Sequence, residues 1–295
     1  MTNTVEINNF TMNFSTLGAS TNSTTQSIGP QEILESCLQF TTFLFGFPTH
    51  CYITWLIITG TGNGLSSELF NLNLSVSEIG NCLNNLLIAS MIWFPGLLPF
   101  KNFLTGLTIT ARPFFQCLMC VERYLAVVHP VTFLKYKPLR YRVICCIVVW
   151  MFTIASCFGC WVINTSDTIL YVWFSFVHFL CVLFVQLFCL VAVLRALKQS
   201  GPGERKREKE ENHMKKNAIY TILVTTVNML VTYIPLCLTG LYSILSNNFV
   251  QAVWFPSVMC FMLAGFFHPL LFLHRTGKLP YSCHHFHDFV LKLIM

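Results

Sequence analysis

The chain is 295 residues long, 54% hydrophobic and only 10% charged, with a formal net charge of +6. One compact water-soluble domain of that size cannot keep so much apolar surface from solvent, so the composition excludes a soluble globular protein and makes a lipid bilayer the expected surrounding. The positive excess falls in loops where acidic residues dilute it, as in "SGPGERKREKEENHMKK", and gives no nucleic-acid footprint.

In chain order, residues 1–36 form a Ser/Thr/Asn-rich stretch with glycan acceptor sequons at Asn9, Asn13 and Asn22, expected to be a disordered, glycosylated extracellular tail. Seven mostly apolar stretches follow, at about 37–60, 69–95, 102–127, 141–164, 168–197, 216–245 and 250–273. Each reaches the roughly 20 residues that carry a helix across about 30 Å of hydrocarbon. They lack the alternation of barrel strands, and lipid leaves only helices otherwise, so residues 37–273 are expected to be an all-α, seven-helix transmembrane bundle. The "GTGNG" at 60–64 follows a helix rather than a strand and reads as a turn, not a phosphate loop.

Lysine and arginine set the expected orientation. Lys135, Lys137, Arg140 and Arg142 share one side with Arg205, Lys206, Arg207, Lys209, Lys215, Lys216, Arg275, Lys278 and Lys292, while Lys101 stands opposite. The positive-inside rule then puts the amino terminus outside and residues 274–295 in the cytoplasm, where Cys283 is a candidate for palmitoylation. Most of the 14 cysteines fall inside apolar stretches and read as small core residues. "CLMC" and "CFGC" lack the companion ligands of a zinc site, so no metal and no cofactor is expected. No nucleophile and base come together in a catalytic context, so an enzyme is not expected.

The stretch "CVERYLAVVHP" at 120–130 closes the third apolar run with Glu122, Arg123 and Tyr124. With "LNLSVSE" at 72–78, Trp150, "VTYIPL" around Pro235 and "HPLLF" at 268–272, it resembles the motifs of rhodopsin-like, class A G-protein-coupled receptors, in order across all seven helices. "GFP" in the first helix is similar to purinergic and protease-activated receptors. The resemblance implies a plasma-membrane receptor that passes an extracellular ligand's signal to a heterotrimeric G protein. It implies that Arg123, restrained by Glu122, is released when the sixth helix swings outward, with Tyr233, Pro235, His268, Pro269 and Phe272 as further switch positions. A charge pair that only fixes helix depth is the plainer alternative for Glu122 and Arg123.

The chain departs from the family pattern where the pattern is polar. His50 stands at a usual Asn, Glu78 at a usual Asp, His268 at a usual Asn, Tyr233 at a usual tryptophan and Phe272 at a usual tyrosine. The third helix starts without the customary outer cysteine, the fifth lacks its proline, and Pro113 intrudes in the third. Arg112 lies three turns before Arg123 on one helix face. An arginine at mid-membrane costs on the order of 3 kcal/mol or more, so an acid partner is expected. The resemblance puts Glu78 beside it in the family's sodium pocket, which implies a buried ion pair with His50 and His268 as polar neighbours and no sodium. A snorkelling arginine or one facing a water pocket is the alternative. The outer aromatics Trp93, Phe94, Trp161, Tyr171, Trp173, Phe174, Tyr242 and Trp254 suit an apolar or amphipathic ligand, and equally a membrane interface. Two rivals stand beside the receptor: a seven-helix protein that binds without signalling, and a proton or solute transporter, motivated by the intramembrane ionisable residues.

Overall fold

A computed structural model of the protein describes residues 30–60, 68–91, 93–129, 131–133, 139–166, 168–199, 208–246 and 251–275. Seven long helices account for nearly all of them: α1 (Pro30–Thr59), α2 (Leu69–Ser90), α3 (Leu98–Val128), α4 (Leu139–Ser166), α5 (Thr168–Gln199), α6 (Glu208–Ser246) and α7 (Gln251–Arg275). A short 3-10 turn, Pro95–Leu97, leads into α3. The sequons at Asn9, Asn13 and Asn22, and Cys283, lie outside the described residues.

Two helices, α1 and α6, start well before the apolar stretches suggest. α1 begins at Pro30, where proline suits a first helical turn, and Gln39 Nε2 donates to Glu35 Oε1 one turn back at 3.3 Å. α6 begins at Glu208 inside the charged segment, because "EKEENHMKK" is rich in good helix formers. α3 runs without a break through Pro113.

The helices close a ring: α1 packs on α2 and α7, α2 on α3, α5 on α6, and α6 on α7, while α3 also meets α4, α5 and α6. Because α3 touches so many neighbours, its consecutive side chains serve different seams. The α3 and α4 backbones come unusually close at Gly106, where a Cβ would lie 2.6 Å from the Cys157 amide nitrogen. Small residues permit such approach where lipid gives helices no hydrophobic push. One core cluster joins Ile109, Phe179, Val182, Met229 and Tyr233, and a second joins Phe70, Leu74, Ala111, Phe115 and Val149.

Six of the described helices are long and apolar enough to cross a membrane. α2 is the long helix left out, because it carries Asn71, Asn73, Asn81, Asn84, Asn85 and Glu78. Most of those groups turn inward: Asn71, Ser75, Ser77, Glu78, Asn81 and Asn84 are buried. Cys82, Cys120, Cys146, Cys157, Cys160 and Cys189 are buried core residues, and every cysteine among the described residues is a free thiol.

Candidate functional site

The most enclosed charges lie between α2, α3 and α7. Glu78 is 3% and Arg112 5% exposed. Arg112 donates from Nε to Glu78 Oε1 and from Nη2 to Glu78 Oε2, a fork that matches both carboxylate oxygens. Its remaining nitrogen, Nη1, donates to the Phe261 carbonyl of α7 at 2.8 Å, and the guanidinium lies over the Phe261 ring, 4.1 Å from its centre. Glu78 also accepts from Asn81 Nδ2 at 3.1 Å. One arginine therefore joins three helices.

Gly265 makes room for this. It lies one turn beyond Phe261, where that carbonyl points, and a Cβ there would come 3.0 Å from Arg112 Nη2 and 3.8 Å from Glu78 Oε2. Pro269 in turn has no N–H, which deprives the Gly265 carbonyl of its helical donor. His50 Nδ1 and Asn81 Oδ1 have no hydrogen-bond partner among the described residues. Both residues line a cavity of ≈ 10 Å³ with Thr42, Glu78, Arg112 and Met262, room on the order of a single water.

His268 does not join this group. Its Nε2 pairs with Asn71 Oδ1 at 3.2 Å, and Asn71 Nδ2 donates to Glu68 Oε2. The expected four-residue polar cluster thus splits. Gly265 is the α7 residue facing the ion pair, and His268, one turn on, faces an earlier turn of α2. Counting residues along helices cannot resolve that offset of one turn, and Glu68 and Asn71 were not singled out in the sequence.

From the ion pair a contact path leads to α6. The Phe261 ring meets Tyr233 with centres 6.3 Å apart, Tyr233 packs on Phe179 at 5.1 Å, and its hydroxyl donates to Gln116 Oε1 of α3 at 3.3 Å. Phe261 gave no signal in the sequence beyond being an aromatic two turns before His268. Thr239 Oγ1 donates to the Pro235 carbonyl at 3.0 Å. Phe272 packs with Ile53 and Ile57 of α1. Trp150 Nε1 donates to Asn73 Oδ1 at 2.8 Å, tying α4 to α2.

At the far end of α3, the Glu122 carboxylate accepts from Arg142 Nη2 of α4, a partner the sequence did not suggest. Tyr124 turns elsewhere, with its hydroxyl 3.1 Å from His129 Nε2 and its ring 5.9 Å from Phe188 of α5. Arg123 is half-buried between these two neighbours in sequence. Of the aromatics expected to wall a pocket, Tyr171, Phe174 and Trp254 pack on the core. Trp93, Phe94, Trp161, Trp173 and Tyr242 are exposed, as side chains at a lipid interface are. No group of three or more His, Cys, Asp or Glu among the described residues is placed to hold a metal.

Comparison with known proteins agrees with this architecture. The chain is 27% identical to chemokine XC receptor 1 of Mus musculus over 197 residues, 62% of this chain and 59% of that receptor. It is 24% identical to the uracil nucleotide/cysteinyl leukotriene receptor of Rattus norvegicus over 230 residues, 70% of this chain and 65% of that one. With the human C-C chemokine receptor type 8 it shares 30% over 156 residues, 44% of this chain and 41% of the other. Its relatives are class A G-protein-coupled receptors. The chain spans less than two thirds of the length of each of these relatives, and no protein-family model matches it. Apolar helices and receptor relatives together make it a multi-pass membrane protein.

Proposed function

We propose that the chain is a plasma-membrane receptor that passes an extracellular ligand's signal to a heterotrimeric G protein by helix rearrangement. The amino terminus lies outside, the carboxyl terminus inside, and all seven helices cross the bilayer, α2 shielded by its neighbours. The observation that carries this reading is the likeness to receptors over a chain whose helices close one ring in sequence order. The position of Arg123 supports it: two turns beyond Gln116, on the face of α3 that looks toward α6, the arginine is exposed to a docking partner when α6 moves away. Tyr233, Pro235, His268, Pro269 and Phe272 are the further switch positions, and Tyr124 braces the end of α3 against α5.

The test is ligand-independent G-protein coupling of the native chain and of Arg123→Ala at matched surface levels. Loss of coupling in the variant is expected. Equal coupling above background in both removes Arg123 from the role and the reading with it.

Two observations favour a second reading, in which the bundle binds its ligand without signalling. Arg112 holds α2, α3 and α7 through one side chain, and Tyr233 stands where relatives of this family type carry a tryptophan. Native chain with no coupling under any condition, yet saturable ligand binding, selects that reading. In either case the guanidinium fills the place of a cation, because the acid is already neutralised and the adjoining space admits about one water. The transporter alternative predicts ion or solute flux in reconstituted vesicles.

A further inference from the structure

Glu122 and Arg123 are neighbours in sequence, but successive residues of a helix point about 100° apart and do not face each other. Their surroundings can be read from residues two turns back. Glu122 shares its stripe with Phe115, whose ring packs on Trp150 of α4 with centres 5.7 Å apart. Arg123 shares its stripe with Gln116, which accepts from Tyr233 of α6, and lies three turns from Arg112, which reaches α2 and α7. Tyr124, a further 100° round, meets Phe188 of α5. The acid, the arginine and the tyrosine therefore serve three different seams.

Arg142 completes the first of them. It is in the opening turn of α4, where the helix dipole disfavours a cation, and it is nevertheless buried, with its side chain 9% and that of Glu122 20% exposed. A guanidinium so placed calls for a carboxylate, and Glu122 is in contact with it. Arg140, two residues before it, is directed elsewhere, over the Tyr141 ring at 5.0 Å.

We propose that Arg142 is a positioning residue for Arg123: by holding Glu122 in the α3–α4 seam it fixes the rotation of the α3 end about its own axis, and so the direction in which Arg123 points. The signalling half of this inference rests on the receptor reading; the pairing half does not. Loss of Arg142 lets the α3 end turn, and Arg123 leaves the face toward α6 although its own side chain is intact.

The experiment is a charge exchange in the full chain. Glu122→Arg and Arg142→Glu each place like charges together. Each is expected to lower the thermal unfolding midpoint by several degrees and to shift basal G-protein coupling several-fold in the same direction. The double exchange is expected to restore both. A double exchange no more stable than the weaker single overturns the proposal, most directly if Glu122→Arg with Arg123→Glu restores stability instead. Should either reversal fail to fold, Arg142→Lys and Arg142→Gln still decide, because a retained charge must keep the midpoint nearer to the native value than the neutral amide does. A restored midpoint in a chain that never couples, native form included, leaves the pairing standing and removes the receptor reading alone.

Discussion

Two acid–arginine pairs among the described residues, Glu78 with Arg112 and Glu122 with Arg142, do different work because they lie at different depths in the packing. The pair of Glu78 and Arg112 is sealed between three helices, with side chains 4% and 6% exposed, and the guanidinium spends its donors on a carboxylate and a backbone carbonyl. The pair of Glu122 and Arg142 joins two helices at the end of α3 and keeps a fifth of its acid in contact with the surroundings. In the first, neither charge can be removed without stranding the other in a medium that cannot hydrate it. In the second, the more exposed acid can turn to solvent at modest cost when its arginine is lost. A charge pair at the centre of a bundle thus acts as part of its framework, and one at its rim as an adjustable contact.

That contrast can be tested by removal. Arg112→Leu is expected to have the largest effect, about 3 to 5 kcal/mol lost from stability, because a carboxylate is left buried without a cation. Thermal unfolding in detergent would show it, and adding Glu78→Leu should recover most of the loss, since two apolar residues fit where two unpaired charges do not. If the double variant is no more stable than the single, the framework role assigned to the pair is wrong. Arg142→Leu, measured the same way, should cost clearly less than Arg112→Leu.

Gly265→Ala comes next, at about 1 to 3 kcal/mol, the usual range for a methyl forced into a filled site. Arg112 cannot give way, because every one of its three donor nitrogens is bonded. A variant as stable as the native chain would mean that the guanidinium is held less firmly than its contacts indicate. The smallest expected effect is that of sodium. Replacing choline with sodium at constant ionic strength should leave the unfolding midpoint and basal coupling unchanged, and a clear sodium-dependent rise in either contradicts a guanidinium in the cation's place.

The helical architecture was readable in the sequence because apolar length has few other meanings, and the ends were not. α1 and α6 extend into polar segments where helix propensity, to which a search for apolar runs is blind, sets the boundary. The sequence names Glu78 as the acid to set against Arg112, and the structure puts the two in contact; what that contact does for signalling belongs to the proposal above. His268 was grouped with them and lies a turn away, since a residue count fixes depth only to within about a turn or two. Arg142 was read as one of a run of loop cations. Its pairing with Glu122 depends on which way that acid faces, and position along the chain does not give that direction.

The polarity of α2 carries a consequence for how the chain is made. When helices enter a bilayer one after another, α2 comes second, before the arginine that answers Glu78 has emerged from the ribosome. Its asparagines and its acid have no shelter until α3 and α7 stand alongside, so its entry into lipid is tied to theirs. Biogenesis, and not only the finished bundle, depends on a residue that emerges from the ribosome later than the helix it rescues.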